Sequence, residues 1–461
     1  MNRAISVEVS GLLGTFHHKF SLHPDQPFII LHGPNGVGKT HTLEIFERTA
    51  RRDIASLFSS PFSNLKIHIE GAGALEVTRT VTDGVEPDQT SVAELIFELK
   101  NDKSIVTRQS FSYKQEEILR DLVMRHPFLR MEPGGLIFDR RLDEYVEPDE
   151  VIRLYGSTSY RTNPARPNAG RAPSRRSLNF DFSDEFDKFF EGLTVHLIET
   201  QRLLYRKTDE AFGPRASGQA RGMAGRTIDV FSVQLADLLS QALAENSRIS
   251  QKLDRSFPSR VLRLYEHSGM STLNDEQVRA TFEQQAQLRE RLTSVSVGDS
   301  IDDLPLPERT LEDWERSVMT LYLQDSREKL ETFTPLLMKL ELLKSIIDSK
   351  FLYKTLQYDG KRGFYMRSRT GEEFGPAALS SGEQHELVLT YDLIFNVKKD
   401  SIVLIDEPEI SLHVNWQKQF LEDLNKIAKL GGVQFIIATH SPQIVGKYRN
   451  LMVALGPDME D

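Results

Sequence analysis

The amino-acid sequence predicts an α/β fold with a largely parallel sheet and an antiparallel β part, and three observations support this. An apolar strand at 27–32 leads through a glycine-rich turn into a helical pattern at 39–58. Segments 64–82 and 92–113 have the pattern of strands and hairpins, which predicts the antiparallel part. The C-terminal part alternates helical and strand patterns, as in parallel sheets with crossover helices. These alternating segments are 383–396, 401–405, 413–430 and 433–439.

Composition narrows the class of protein. The chain has 461 residues, 39% hydrophobic and 27% charged, which predicts an ordinary globular protein of two or three domains. It contains no cysteine, which excludes disulfides, thiolate metal sites and cysteine nucleophiles and is typical of a reducing cytoplasm. No apolar run is long enough to cross a membrane, so we expect no membrane partner. The net charge of −10 argues against a protein that coats DNA over its whole surface.

The chain divides into three segments by pattern. Residues 1–205 form the N-terminal part of the α/β domain, 206–350 a helical insertion or arm, and 351–461 the C-terminal part. Apolar residues follow helical spacing through most of the insertion. Pro258, Pro305 and Pro307 interrupt this pattern, so we expect a short arm.

Two further local patterns stand out. Residues 151–180 contain six arginines, three prolines and no acidic residue, which predicts a mobile basic loop. The segment 208–226 is also rich in glycine and arginine. After the arm, Asp359 and Gly360 supply the turn of a β-hairpin.

The segment GPNGVGKT at 33–40 has the spacing of a phosphate-binding loop and lies between a strand and a helix. Glycines allow backbone N–H groups to close around phosphate oxygens, and the helix N-terminus adds a favourable dipole. Lys39 is placed to reach the β- and γ-phosphates, and the Thr40 hydroxyl to bind Mg²⁺. A chance glycine-rich turn is the alternative. The candidate ATP-binding residues here are Gly33, Asn35, Gly36, Gly38, Lys39, Thr40 and Thr42.

A buried strand at 401–405 ends in two carboxylates, Asp406 and Glu407. Ligands of open α/β sheets lie at the carboxyl ends of the strands, so Asp406 is a candidate Mg²⁺ ligand. Glu407 could polarise the water that attacks the nucleotide. A pair that only caps the next helix is the alternative.

The segment LSSGEQ at 379–384 precedes a helix and raises a separate question. Ser380 and Glu383 have the spacing of a capping box, which leaves Ser381 and Gly382 unexplained. A helix N-terminus with a hydroxyl and a bare glycine suits an anion. Because one phosphate loop is already present, we expect this second loop to hold a nucleotide bound to another copy of the chain. Its candidate nucleotide-binding residues are Ser381, Gly382 and Glu383.

Together these motifs resemble those of ABC-type ATPases. LSSGEQ looks like their signature motif, and the order of phosphate loop, glutamine loop, signature, acidic strand end and histidine is the same. The long interval before the signature is similar to the SMC-like and OLD-like branch rather than to transporter subunits. The resemblance covers about 1–110, 190–205 and 350–461. It implies an ABC-type ATPase head with a short coiled-coil-like helical insertion, and ATP with Mg²⁺ as cofactors.

The resemblance also implies roles for residues that chemistry alone leaves open. Gln201 in HLIETQRLL would sense Mg²⁺ and the attacking water, with Gln115 as the alternative. His440 in FIIATHSPQIV would contact the γ-phosphate. Ser381 and Gly382 would contact the γ-phosphate of a second chain, so that a homodimer or larger homo-oligomer encloses two ATP molecules.

The sequence departs from the family pattern in two places. His41 follows Thr40 where serine or threonine is more frequent, and ISLHVNW follows the acidic pair. No aromatic residue clearly suits adenine, and Phe16, His17 and His18 are the candidates.

Three functions compete. The chain resembles ATPase components of anti-phage systems, PARIS (AriA) or Septu, in which the ATPase holds a separate nuclease effector. No nuclease residues follow His440, whereas OLD proteins carry a Toprim domain there, so a Toprim-type effector in trans is expected. The basic segments 151–180 and 208–226 would then dock an acidic trigger protein or the effector. The alternatives are an SMC-like ATPase of DNA repair or chromosome maintenance that clamps DNA through these arginines, and a transporter ATPase.

Overall fold

The structure is a computed structural model, and it describes most of the chain. The described residues are 4–82, 92–101, 104–132, 136–140, 144–148, 150–152, 155, 181–198, 227–264, 273–295, 305–410 and 412–456. They divide into two compact units. The first contains the residues up to 198 and those from 397 onward, and the second contains 227–396.

The secondary structure of the described residues combines strands and helices in both units. In chain order the strands are β1 (Ile5–Leu12), β2 (Phe16–Leu22), β3 (Phe28–His32), β4 (Asn64–Ile69), β5 (Gly73–Thr82), β6 (Val92–Asn101), β7 (Ser104–Lys114), β8 (Leu129–Met131), β9 (Ile137–Asp139), β10 (Glu144–Val146), β11 (Val195–Ile198), β12 (Lys354–Asp359), β13 (Gly363–Ser368), β14 (Glu373–Phe374), β15 (Ile402–Asp406), β16 (Gln434–Ala438) and β17 (Met452–Ala454). The helices are α1 (Lys39–Ala50), α2 (Ile54–Phe58), α3 (Gln115–Arg125), α4 (Asp184–Glu191), α5 (Thr227–Leu264), α6 (Asp275–Ser294), α7 (Asp313–Glu331), α8 (Thr334–Lys350), α9 (Ser381–Tyr391), α10 (Val414–Gly431) and α11 (Pro442–Val445).

The first unit is built on a five-stranded parallel sheet with spatial order β11-β15-β16-β3-β17. All residues of β16, and all but the last residue of β3 and β15, are buried. Such continuous apolar strands are typical of a parallel sheet that is covered on both faces. The parallel direction brings the carboxyl ends of β3, β15 and β16 to the same edge of the sheet.

A six-stranded antiparallel sheet lies in the same unit, with spatial order β2-β1-β4-β5-β6-β7. In β4 buried and outward-facing residues alternate, as expected for a sheet with one face against a core. The buried residues of this sheet, of the parallel sheet and of α1 form one continuous apolar core. The predicted α/β fold with parallel and antiparallel parts is therefore confirmed.

The second unit combines the four long helices α5–α8 with the sheet β12-β13-β14 and the helix α9. The predicted hairpin is confirmed, because β12 pairs with β13 in antiparallel register across Asp359 and Gly363. The Asp359 side chain accepts hydrogen bonds from the backbone N–H groups of Lys361 and Arg362, at 2.9 and 2.8 Å, and so closes the turn. Among the described residues, no helix has an apolar stretch long enough to cross a membrane.

Two sequence predictions about helices were wrong in detail. The helix expected over 39–58 is two helices, because Arg52 adopts a positive φ of 59° and Asp53 caps α2 by accepting the Ser56 N–H. The interruption expected at Pro258 is absent, since α5 continues through this residue.

Arg260, two residues after the proline, joins α5 to the neighbouring helix α7. Proline removes the backbone donor that would bond the Asp254 carbonyl, and Arg260 bonds a different carbonyl. The Arg260 guanidinium donates to the Leu253 carbonyl at 3.1 Å and forms two bonds to the Asp325 carboxylate of α7, at 2.6 and 2.5 Å. Asp325 is only 6% exposed, so this pair ties the distal half of α5 to α7 in a largely dry environment.

We expect Arg260→Ala to destabilise the helical unit by about 1–3 kcal/mol, because it leaves a buried carboxylate without its partner. The measurement is the midpoint of thermal unfolding of the full chain. The matched control is Arg248→Ala on the same helix, whose ion pair with Glu245 lies on the surface and should contribute little. Equal shifts for the two variants would contradict the role given to Arg260.

Candidate functional site

The phosphate loop connects β3 to α1 and depends on glycine backbone geometry. Gly36 and Gly38 have φ values of 86° and 84°, in the left-handed region that favours glycine. A Cβ at Gly33 would lie 2.0 Å from the Leu455 carbonyl oxygen, so the start of the loop has no room for a side chain. Among the described residues, no atom lies within 4 Å of a Cβ placed at Gly36, so the middle of the loop is open.

Lys39 begins α1 and folds back beneath the loop. Its ammonium group donates to the carbonyls of Gly33 and Pro34, both at 3.0 Å, and the residue is only 5% exposed. Burial lowers the pKa of Lys39, while the carboxylates of Glu407, Asp406 and Glu409 act in the opposite direction. The amine is therefore held inside the loop and faces three carboxylates.

Thr40 and Asp406 meet across the edge of the parallel sheet. The Thr40 hydroxyl donates to Asp406 Oδ2 at 2.6 Å, although the residues are 366 positions apart in sequence. Burial raises the pKa of Asp406, the Thr40 hydrogen bond lowers it, and the neighbouring Glu407 raises it further. The second carboxylate oxygen, Oδ1, is buried and has no hydrogen-bond partner among the described residues.

These oxygen atoms fit a magnesium ion. Mg²⁺ prefers hard oxygen ligands and in nucleotide sites takes few of them from the protein. A hydroxyl and a carboxylate stand together beside the phosphate loop, and one carboxylate oxygen lacks a partner. Thr40 and Asp406 are therefore the described residues that could hold the ion.

Glu407 follows β15 in a strained backbone conformation. Its φ is 45°, which is uncommon for a residue with a side chain and is often found at functional sites. Its backbone N–H donates to the Ala438 carbonyl at 2.9 Å, which joins the ends of β15 and β16. The strained turn thus brings the Glu407 side chain out at the carboxyl edge of the sheet, next to Asp406.

His440 follows β16 at the same edge, and Glu409 holds its backbone. The Glu409 carboxylate accepts the His440 backbone N–H at 2.7 Å and the Thr439 hydroxyl at 2.8 Å. Thr439 is buried, whereas the His440 residue is exposed. Sequence reasoning missed Glu409, and the available signal was a third carboxylate directly after the predicted acidic pair.

The other residues predicted to contact the nucleotide differ in their exposure and in their hydrogen-bond partners. Asn35 is exposed on the loop, whereas Thr42 is buried and its hydroxyl donates to the Gly38 carbonyl at 2.9 Å. His18, a candidate for adenine, is 1% exposed, and its Nε2–H donates to the Val37 carbonyl of the loop at 2.7 Å. His18 therefore supports the phosphate loop from behind.

The signature-like segment lies in the second unit and begins α9. Ser380 caps this helix, and the Glu383 carboxylate accepts the Ser380 N–H at 3.0 Å. Glu383 also pairs with Lys354 at 2.7 Å. Burial would raise the pKa of Glu383, but the bonds from Lys354 and Ser380 outweigh it and hold the pKa below its usual range.

Unlike Glu383, which is engaged by Lys354 and Ser380, Ser381 and Gly382 are open to a ligand. Ser381 is exposed, and a Cβ at Gly382 would meet no atom within 4 Å. One turn further along the helix, Glu386 forms a buried ion pair with Lys350 at the end of α8. These contacts anchor α9 within its unit and leave its first turn open.

Several predicted features lie outside the described residues. Gln201 and residues 156–180 of the Arg-rich loop belong to this group, and so does 208–226. Gln115 begins α3, but its side chain is not among those described. The role of Gln201 at the metal and the attacking water stays a prediction.

The fold and the site define a nucleotide-binding α/β domain with a phosphate loop. Residues 28–446 match the family described as "AAA domain, putative AbiEii toxin, Type IV TA system". Because this match spans most of the chain, the chain belongs to that family of AAA domains. Family membership implies nucleotide binding.

One curated relative is an Escherichia coli protein named "Retron Ec83 probable ATPase". The chain is 36% identical to it over 77 residues. The match spans 14% of this chain and 14% of the length of that relative.

Two solved structures align over almost the whole chain. The first is the Smc head domain of Pyrococcus furiosus with an extended coiled coil, bound to the C-terminal domain of ScpA. It is 12% identical, with 99% of this chain and 94% of that chain covered and a TM-score of 0.33. The SMC head domain of Thermotoga maritima is 9% identical, with 95% and 90% covered and a TM-score of 0.30. Because both TM-scores are low, nothing about the function of this chain follows from them.

We expect Gly36→Ala to weaken ATP binding at least tenfold. Phosphate must approach the backbone N–H groups of the loop closely, and a methyl group at this open position would obstruct that approach. The measurement is a titration with a fluorescent ATP analogue.

The matched control for this variant is Gly71→Ala in the turn between β4 and β5. Gly71 also has a positive φ, 75°, and open space around its Cβ position. Both variants carry a similar backbone cost of roughly 1–2 kcal/mol, so only the effect on ATP should differ. Equal loss of ATP binding in both variants would contradict binding of phosphate by the loop backbone at Gly36.

Proposed function

We propose that the chain is an ATPase that binds ATP with Mg²⁺ at the edge of its parallel sheet and hydrolyses it. One observation carries the proposal: the Thr40 hydroxyl donates to Asp406 Oδ2 beside the phosphate loop, and Oδ1 of the same carboxylate is buried without a partner in the part of the chain that the structure describes. Bound Mg²⁺ would neutralise negative charge on the β- and γ-phosphate oxygens. Lys39, held beneath the loop, would contact the same two phosphates.

The remaining steps of ATP hydrolysis are assigned to Glu407, His440 and Gln201. Glu407 would accept a hydrogen bond from the attacking water and orient it in line with the bond that breaks. His440 would contact the γ-phosphate, as the resemblance to ABC-type ATPases implies. Gln201 is proposed to orient the same water. These roles are supported by Glu407 and His440 following neighbouring strands, β15 and β16.

We propose that the active form is a homodimer or a larger homo-oligomer. The support is the signature-like turn, which exposes Ser381 and has open space at Gly382, while Glu383 is engaged inside its own unit. Ser381 and Gly382 would contact the γ-phosphate of ATP bound to a second chain. ATP would then drive association, and hydrolysis would reverse it, so that the nucleotide acts as a switch between two states.

We propose a role in bacterial anti-phage defence, in which the ATPase holds a separate nuclease effector, of the Toprim type, and releases it on activation. Two comparisons support this. The family description names a toxin of a type IV system, and the E. coli relative is named as a retron ATPase. The proposal follows the resemblance to the ATPase components of PARIS and Septu, with the Arg-rich loop as the docking site for an acidic trigger protein. A cytoplasmic location is part of this proposal.

A specific surface favours the second candidate function, an SMC-like ATPase that clamps DNA. Arg248, Lys252, Arg255 and Arg263 are all exposed on the distal half of α5. Their spacing puts them on one face of the helix. Arg248 is paired with Glu245, and a row of exposed cations of this kind suits a phosphate backbone, whose binding depends on salt.

We expect Glu407→Gln to lower the rate of ATP hydrolysis about 100-fold or more, because the amide cannot take up the proton of the attacking water. ATP binding should be retained, and the ATP-bound protein should accumulate as a dimer or larger oligomer in light scattering.

Lys39→Ala serves as the contrasting variant, in which loss of the buried ammonium should weaken ATP binding about 100-fold and prevent association. Lys398→Ala, at an exposed lysine of the same unit, is the control. A monomeric Glu407→Gln protein at saturating Mg-ATP would contradict the dimer. Unchanged ATP affinity in Lys39→Ala would contradict the site.

The defence role predicts a protein partner. We expect tagged Glu407→Gln, expressed with its native neighbouring genes and purified with Mg-ATP, to carry a stoichiometric partner that mass spectrometry identifies as a nuclease. Lys39→Ala should not retain it. Bound DNA without a protein partner, lost at high salt and in Arg255→Glu, would instead support the DNA-clamping function.

A further inference from the structure

We propose that Glu409 is a positioning residue for ATP hydrolysis and acts through His440. The inference rests on the proposed ATPase function and assigns a task to a carboxylate outside the predicted acidic pair. Glu409 lies in the short turn Pro408–Ile410 that follows β15, two positions after Glu407. It does not need to touch the nucleotide, because its contacts determine where the histidine backbone lies.

The first step of the argument is the pair of bonds that Glu409 accepts. Oε1 accepts the His440 backbone N–H at 2.7 Å, and Oε2 accepts the Thr439 hydroxyl at 2.8 Å. Thr439 is 1% exposed, so the second bond lies away from water. Two bonds from consecutive residues to one carboxylate fix both the position and the direction of the peptide that carries His440.

The second step is that the contact closes a ring of hydrogen bonds. The Ser441 N–H donates to the Thr439 hydroxyl oxygen at 3.0 Å, and the Ser441 hydroxyl donates to Gln417 Oε1 at 2.7 Å. Gln417 Nε2 then donates to the Leu412 carbonyl at 3.2 Å and, at 3.4 Å, to the Glu409 carbonyl. The ring ties the segment after β15 to the segment after β16 and to the first turns of α10.

The third step is that Glu409 differs from Asp406 and Glu407, the carboxylates expected to act directly in hydrolysis. Both of its oxygens accept hydrogen bonds from the protein, whereas Asp406 keeps a buried oxygen without a partner. A carboxylate engaged in this way is poorly placed to bind an ion or to take a proton. It is well placed to set the distance between Glu407 and His440. The Glu407 N–H is bonded to the Ala438 carbonyl, and His440 lies two residues after Ala438.

The test uses Glu409→Gln, which has the same shape but presents an NH₂ group to one of the two donors. We expect the rate constant of hydrolysis at saturating ATP to fall about 10- to 100-fold, the effect of losing one charge-assisted bond. ATP affinity should stay within about threefold and the melting temperature within a few degrees. Glu422→Gln, an isosteric change at a surface ion pair with Lys447, should leave all three quantities unchanged.

A double-mutant cycle then asks whether Glu409 acts through the histidine. If it does, Glu409→Gln combined with His440→Ala hydrolyses ATP at the rate of His440→Ala alone, within about twofold. Multiplication of the two losses would overturn the inference, because it would mean that Glu409 acts on its own. A fall in melting temperature large enough to explain the lost rate would overturn it as well.

A measurement without nucleotide separates this inference from the proposed function. Hydrogen exchange of the peptide containing His440 should be faster in Glu409→Ala than in the wild-type protein, because in this variant the His440 N–H loses its acceptor. An unchanged exchange rate would contradict the claim that Glu409 holds the backbone at His440. Absence of hydrolysis by the wild-type protein overturns the proposed function, whereas an active wild type with unchanged exchange or multiplicative losses overturns only the role of Glu409.

Discussion

The parallel pairing of β3, β15 and β16 is the constraint on which the site depends. The register places Asp406 beside Ala438 and Ala438 beside Leu31, so that three chain segments leave the sheet in one row. The contacts of Thr40 with Asp406 and of Glu409 with His440 depend on this row. Because side chains alternate along a strand, a slip of one residue in β15 would turn Asp406 away from Thr40.

Much of this site could be predicted from the sequence, since its parts are encoded by short contiguous patterns. The glycine spacing of the phosphate loop and the apolar run before Asp406 are visible without any knowledge of distant contacts. The strand and helix alternation was confirmed for the same reason, with most bounds shifted by one or two residues and the end of α9 by five. Local patterns, however, do not report what a side chain meets across the fold.

The features that sequence reasoning missed are long-range ones. Glu409 receives its hydrogen bonds from residues 30 and 31 positions away, and no local pattern marks that pairing. Pro258 was expected to interrupt a helix, but α5 continues through it. Two residues later Arg260 forms a bidentate contact with Asp325 of α7, which no local pattern marks.

The separation of 366 positions between Thr40 and Asp406 has a consequence for synthesis on the ribosome. At about 5–20 residues per second, translation from one residue to the other takes roughly 20–70 s. During this time β3 has been made, but its sheet neighbours β16 and β17 have not. The antiparallel strands β1, β2 and β4–β7 are all encoded early, so that sheet can form first. The Thr40–Asp406 contact forms only after β15 has been made, so a nascent chain that ends before Asp406 lacks this part of the candidate site.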